Sequence, residues 1–443
     1  MNITLLGAKN SVTGSCILVE YKKTRVLIDC GTIQGNEAKK DSTLPVDPQS
    51  IDAVLMTHGH LDHIGEIPQL VQQGFKGSVY GQYATCEIAP VIWQDSARLG
   101  GNCPYSHYDM EAVKETRGRL LYLNYQVPFT IKDIRFKLYD AGHIMGSSHI
   151  EARAGDKGAL FSGDIGPLNT PLIRDPHRNW KEPFDTVVIE STYGNRNHRD
   201  RDNTIREFAS IVKTTIENRG VLLIPAFAIG RTQEMLYHLN TLVQSGEIDP
   251  LPVFVDSPMA ANITKIYSRY RDNYDDEARA KLRAGDKPLK FTGLKIVDSY
   301  NQSESIARMR PPFIVIAGSG MCTGGRIVNH LKTFLPHQST TVMIVGYQAQ
   351  GTPGRSLVDG ANTVEIGKDR INVNARIETI GGFSAHAGQD ELLQWAGAVP
   401  GKDIQWIVNH GEPTAIRTLQ ELLEDNCGTA MKTAGQGECV KRE

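Results

Sequence analysis

The segment His58-Gly59-His60-Leu61-Asp62-His63 sets three imidazoles and a carboxylate within six consecutive positions, directly after the apolar run Ala53-Val54-Leu55-Met56. Such crowding constrains this chain more than any other feature. The run reads as a buried strand, and loops leaving strand ends are where active-site groups are commonly carried. Neutral imidazole nitrogens and carboxylate oxygens are the donors that zinc and similar divalent cations accept. The remaining ligands must then be supplied by other parts of the chain.

Several segments have the required form, an apolar stretch running straight into a potential ligand. Leu138-Tyr139-Asp140-Ala141-Gly142-His143 and Leu160-Phe161-Ser162-Gly163-Asp164 are two of them. Thr186 to Ile189 delivers Glu190, Ile377 to Gly382 leads to Phe383-Ser384-Ala385-His386, and Ile404 to Val408 ends in Asn409-His410. Taken singly, each is compatible with a helix cap or a satisfied polar core residue. Together they place polar groups along one edge of a sheet, as a shared active site requires.

Composition narrows the class. With 443 residues, 40% of them hydrophobic and 22% charged, the chain fits a globular protein of two or three domain-sized units. The formal net charge of −2 carries no global bias toward nucleic acid, so any polyanion must be bound locally. The seven cysteines are scattered without a Cys-x-x-Cys pair, which indicates neither a disulfide framework nor a cysteine zinc site. Met1 to Gly7 lacks the basic start and apolar core of a signal peptide, and every apolar run is broken well short of a membrane span. The expectation is a cytoplasmic protein with no membrane association.

Along the chain, strands are expected at Ile3 to Leu6, Cys16 to Tyr21, Arg25 to Asp29, Ala53 to Thr57 and Ser78 to Tyr80. A second block follows at Phe129 to Tyr139, Ser148 to Ala152, Ala159 to Gly163 and Thr186 to Glu190. Two such blocks with helices between and after them fit a layered αββα arrangement. From about Asn203 the rhythm changes to helices alternating with buried strands, the pattern of a parallel α/β sheet. Near the C-terminus, Arg376 to Ile380 and Ile404 to Val408 look like strands again, each followed by a helix.

These residues resemble the β-CASP branch of the metallo-β-lactamase fold, a group of ribonucleases related to the nuclease subunit of the eukaryotic mRNA cleavage and polyadenylation machinery. The similarity spans nearly the whole chain. It rests on Asp29 in Leu27-Ile28-Asp29-Cys30-Gly31, on His58 to His63, His143 and Asp164, and on three additional motifs at Glu190, His386 and His410. Asp164 and His410 lie roughly 250 positions apart, far beyond an ordinary connection. The intervening stretch carries the family strings Pro225-Ala226-Phe227-Ala228-Ile229-Gly230-Arg231-Thr232-Gln233-Glu234, Asp256-Ser257-Pro258-Met259-Ala260 and Gly318-Ser319-Gly320-Met321-Cys322. The short bacterial form, without RNA-binding KH domains, is the best match.

The resemblance implies a metallo-β-lactamase αββα sandwich over residues 1–202 and 365–443, with an inserted α/β β-CASP domain over 203–364. It further implies two Zn2+ per chain, although the same ligands would accept manganese or iron. His58, His60 and His143 would hold one ion, Asp62, His63 and His410 the other, with Asp164 bridging and Asp29 supporting the loop from behind. Hydroxide made from a shared water would attack a phosphodiester of single-stranded RNA in line, internally and, in the manner of some relatives, also from the 5′ end. His386 resembles the general acid and Glu190 its orienting partner. Gly320, in a glycine loop before a helix, with Ser384, His330 and Arg231, would contact RNA phosphates. Asn329, Pro353 and Gly388 depart from the usual pattern, which bears on RNA positioning and not on the ligands. A homo-oligomer is compatible with this picture.

Three other readings compete. In the DNA-repair branch of the same fold the position of His410 is typically aliphatic, so His410 favours RNA. A catalytically silent scaffold would have lost ligands, and none of the expected ones is missing. A small-molecule hydrolase would not need the long insert.

Overall fold

The computed structural model describes residues 1–34, 44–99, 107–427 and 439–440. Two compact units emerge, Met1–Asn197 with His386–Glu443, and His198–Ala385.

The first unit is built on two sheets. One runs in the order Cys439–Val440, Asn2–Leu5, Ile17–Tyr21, Thr24–Ile28, Ala53–Leu55, Ser78–Gln82 and Leu120–Leu123. Its neighbours are antiparallel as far as Thr24–Ile28 and parallel from there on. The other runs Gln405–Asn409, Thr186–Glu190, Lys157–Phe161, Ser148–Ala154, Ile134–Asp140 and Phe129–Ile131. There the first three strands are parallel to one another and the rest antiparallel.

Successive side chains on a strand point to opposite faces, and this alternation explains the layering. Ala159 and Phe161 join Ile3, Val19, Val26, Leu55, Ile134, Phe136 and Val188 in a core between the sheets. Leu160, Val187 and Ile189, on the opposite face, pack with Trp180, Leu392, Trp395 and Leu419 beneath the C-terminal helices Gln389–Gly397 and Pro413–Cys427. Helix Tyr83–Leu99 packs against Ser78–Gln82 and Leu120–Leu123 in the first sheet. The result is the expected αββα sandwich. Burying each large apolar side chain stabilises it by about 1.5–3 kcal/mol.

The second unit holds a wholly parallel sheet in the order Leu294–Ile296, Val253–Val255, Phe313–Ala317, Val221–Pro225, Thr340–Ile344 and Arg376–Thr379. The central strands Phe313–Ala317 and Val221–Pro225 are buried at every position, as parallel strands covered on both faces must be. All strands point the same way, so Phe227, Asp256, Gly318 and Tyr347 follow strand ends along one edge of this sheet.

Two stretches differ from the sequence reading. The reading ends the insert at residue 364, yet Arg376–Thr379 pairs in parallel with Thr340–Ile344 as an edge strand of the second unit's sheet. Its half-exposed, charged sequence hides this, because an edge strand needs neither two apolar faces nor a full ladder. The reading places helices between the two strand blocks without giving bounds; helices Tyr83–Leu99 and Met110–Gly118 form there, together with strand Leu120–Leu123, which it does not assign. Pro90 inside the first helix breaks the usual local signal. Among the described residues, no helix is long and apolar enough to cross a membrane.

Candidate metal centre

Strand Ala53–Leu55 ends at a turn that makes the ligand string physically possible. His60 stands at the N-terminus of the short helix Leu61–Ile64, which puts Asp62 and His63 on its first turn. The backbone of this turn is stitched to the neighbouring strand end, with Ser15 N–H donating to the Asp62 carbonyl at 2.8 Å and Cys30 N–H to the His63 carbonyl at 2.9 Å. Gly31 lies so close that a Cβ there would stand 1.6 Å from the Asp62 carbonyl oxygen. Only glycine allows that approach.

Asp29 organises the turn from below. Its Oδ1 accepts the Thr57 N–H at 2.7 Å, and its Oδ2 accepts the Thr57 hydroxyl at 2.8 Å and faces His63 Nδ1 at 2.7 Å. A proton on Nδ1 leaves His63 Nε2 as the nitrogen available to a metal. Asp29 itself has φ of +60°, and His410 has +52°. Left-handed conformations at non-glycine residues cost about 1–3 kcal/mol each, and here both occur where a strand end must turn a side chain into the site.

The expected ligands converge in the first unit. His58, His60, His143 and Asp164 each bring one donor atom to within 4.8 Å of the others, and so do Asp62, His63 and His410. His58 Nε2 and His143 Nε2 both lie 3.5 Å from Asp164 Oδ2. On the other side of the same carboxylate, His63 Nε2 is 3.3 Å and His410 Nδ1 3.6 Å from Oδ1. Asp164 therefore stands between the two groups, one oxygen toward each.

The donor set suits a cation. Among the described residues, His63 Nε2, Asp164 Oδ1 and His410 Nε2 are buried without a well-formed hydrogen bond, with only the contacts of His63 and His410 to carboxylates at 3.3 to 3.7 Å. Orphaned buried polar atoms are costly, and three at one point call for a bound partner. Electrostatics agree. Burial drives His58 well below the usual imidazole range and lowers His60 to about 4, so both are neutral and ready to ligate. Burial opposes charge on Asp62 too, but His410, 3.7 Å away, and the surrounding imidazoles bring it down to about 2. At His63 burial is outweighed by Asp164 and Asp29, which hold a proton well above the usual range. The field that retains this proton is the field that would attract a divalent cation in its place. The residues thus fit a divalent metal site.

Glu190 and His386 form a second pair beside it. His386 Nδ1 lies 3.1 and 3.2 Å from the two Glu190 oxygens and 3.9 Å from Asp164 Oδ2. Glu190 is itself fixed by the Ile165 N–H at 2.7 Å and the Thr192 N–H at 3.2 Å. Burial disfavours protonation of His386, but Glu190 and Asp164 prevail and raise it to about 9.

The expected phosphate contacts lie in the second unit and have local partners. Arg231 bonds Glu234 at 3.1 Å and sits over the Phe383 ring. His330 is buried with Nε2 2.6 Å from Asp256 Oδ2. Gly320 lies under the Phe227 ring, and Ser384 is half-buried.

Sequence reasoning missed the supporting shell. Thr57, Ser15 and Ser162 brace Asp29 and Glu190, and the Ser147 hydroxyl accepts the His143 N–H at 3.0 Å. His149, buried beneath, accepts from Trp395 Nε1 at 3.1 Å and donates through Nδ1 to the Ser162 carbonyl. Burial lowers it to about 3, so it is a neutral strut. Thr57 adjoins the histidine string and was findable by position; single serines and a lone histidine carry no such signal.

Comparison with known proteins places these features. Residues 11–193 match the metallo-beta-lactamase superfamily, 232–357 the Beta-Casp domain and 370–433 the Zn-dependent metallo-hydrolase RNA specificity domain. The chain is 36% identical over 424 residues to "Ribonuclease TTHA0252" of Thermus thermophilus, covering 96% of each protein. It is 32% identical to an "RNase J-like protein" of Methanocaldococcus jannaschii, covering 92% of this chain and 91% of that one. With the "Transcription termination factor FttA" of Methanosarcina mazei it shares 31% identity over 94% of this chain and 67% of that protein. A solved Enterococcus faecalis protein of unknown function has the same fold, with a TM-score of 0.60, 14% identity and 99% coverage of both chains. The chain belongs to the β-CASP family of metal-dependent ribonucleases with the metallo-β-lactamase fold.

Proposed function

We propose that this chain hydrolyses phosphodiester bonds of single-stranded RNA as an endonuclease with added 5′ exonuclease activity, using two Zn2+ per chain, sites that manganese or iron would also suit. The observation that carries the reading is the sharing of Asp164. One carboxylate faces both groups of potential ligands and, at 3.9 Å, the imidazole of His386. Two ligand groups around a common carboxylate suit a phosphodiester, which needs charge neutralisation and an activated water at one point.

His58, His60 and His143 would hold one ion and Asp62, His63 and His410 the other, with Asp164 between them. Divalent cations held there lower the pKa of a water and offset the negative charge that develops on phosphate. His386, kept protonated at neutral pH, delivers its Nε2 proton to the departing 3′ oxygen, so the products carry 5′-phosphate and 3′-hydroxyl ends. Glu190 holds Nδ1 and with it the ring orientation. Asp29 keeps His63 in the tautomer that ligates through Nε2. Gly320 and Ser384 would meet RNA phosphates; Arg231 and His330 join them only by giving up Glu234 and Asp256.

The test is cleavage of a 5′-labelled and a 3′-labelled unstructured RNA, with the matching DNA alongside, by wild-type protein and by Asp62→Ala. Internal RNA products that disappear in the variant are expected. Intact RNA beside cleaved DNA would overturn the reading.

A further inference from the structure

Three neighbouring strand ends in the second unit bring unusual groups together. Val221–Pro225 leads to Phe227, Phe313–Ala317 to Gly318-Ser319-Gly320, and Thr340–Ile344 to Gly346-Tyr347. Phe227 is 44% and Tyr347 60% exposed, on a chain where most aromatic rings are buried. The Phe227 ring lies flush on Gly320, where a Cβ would fall 2.9 Å from Cδ2 and from Cε2, and a Cβ on Gly346 would stand 3.8 Å from the same ring. Behind them the buried Gln348 donates to the Gly320 carbonyl at 2.9 Å and the Gly346 carbonyl at 3.1 Å, tying the two loops to each other. An exposed ring on a fixed glycine floor is a built surface, not a stray apolar side chain.

We infer that Phe227, on the floor of Gly320 and Gly346, and Tyr347, exposed on the loop that follows the adjacent strand, are a platform on which unpaired bases of single-stranded RNA stack. The inference rests on the ribonuclease reading above. Each ring follows a parallel strand at its carboxyl end, the edge of an open α/β sheet where ligands bind. Every base has a π-face, so aromatic platforms hold single strands without choosing a sequence. A duplex, whose bases are already stacked, offers no free face to them. The platform therefore supplies strand selectivity that the phosphate-directed metal chemistry lacks.

The experiment measures Kd by anisotropy for a fluorescent unstructured RNA, using metal-loaded full-length protein carrying His386→Ala to slow cleavage. A matched series of RNAs has one abasic nucleotide at successive positions. Phe227→Leu, which keeps an apolar side chain but removes the π-face, and Tyr347→Ala should each weaken binding by about 5- to 150-fold, the range for loss of one stacked base. Phe227→Trp should retain it. In the parent protein one or two abasic positions should weaken binding comparably, and the variants should lose that sensitivity.

Tight RNA binding by the parent with unchanged affinity in both variants would overturn the platform and leave the ribonuclease reading standing. Unchanged affinity with a lowered sedimentation mass would overturn it in favour of a self-association surface. A parent that binds no RNA would remove both readings at once.

Discussion

The Nδ1 of His63 lies 2.7 Å from Oδ2 of Asp29, with both side chains buried. That contact decides which nitrogen of His63 faces Asp164, and it links a strand end at residue 29 to the turn of candidate ligands. Replacing Asp29 by Asn keeps the shape and removes the charge. We expect metal affinity to fall about 10- to 100-fold, the usual cost of losing such a partner, with secondary structure retained. Competition with a chromogenic chelator measures it; an unchanged affinity would sever Asp29 from ligand orientation.

Gly31 probes the same turn by sterics. A methyl group there would meet the Asp62 carbonyl at 1.6 Å, so Gly31→Ala must push the turn away from its strand. The variant should bind less metal than Asp29→Asn does, while circular dichroism shows the sheets intact. Metal content by atomic absorption after desalting reads this directly.

For His386 the sign of the pH effect follows from its environment. Its folded value of about 9 lies above the ordinary imidazole value, so the acid form is complete at neutral pH and is lost as pH rises through 9. kcat should therefore fall on the alkaline side near that point. Removing the negative partner with Glu190→Gln lets go of the proton earlier and should move the alkaline limb to lower pH. His386→Ala should lower kcat by about 10²- to 10⁴-fold. A pH–rate profile of the variant coinciding with wild type would contradict the pairing.

Chelation should abolish cleavage and lower thermal stability, because a cation that binds only the folded state stabilises it by mass action, about 2.7 kcal/mol at a hundredfold excess over Kd. Differential scanning calorimetry at graded zinc concentrations should give a Tm that climbs with free metal. A flat response would mean that the orphaned atoms of His63, Asp164 and His410 are not closed by a cation.

Beneath the site, His149→Phe would leave Trp395 Nε1 and the Ser162 carbonyl without their shared partner. The loss should be about 1–3 kcal/mol per unsatisfied group, visible as a reduced urea midpoint. Because Ser162 also accepts the Glu190 N–H at 3.0 Å, the alkaline limb of the pH profile should shift with it.

The chain's own order of residues determined a good deal. The ligand string His58 to His63 is contiguous, and each further ligand follows an apolar run, so the candidate metal residues and the sandwich were legible from local pattern. Alternation along Lys157–Phe161 and Thr186–Glu190 was readable for the same reason, since period-two burial is written into neighbouring residues.

Tertiary structure decided the rest. Asp29 meets Thr57 and His63, Trp395 meets His149, and Arg376–Thr379 joins a sheet beside Thr340–Ile344 across long stretches of chain. Likewise only the folded surroundings lower His60 to about 4, keep His386 charged and bury His330 against Asp256. A motif records which donor atoms are available locally. Protonation, tautomer and partner depend on the field and the burial created by residues distant in sequence, and those exist only once the strands have come together.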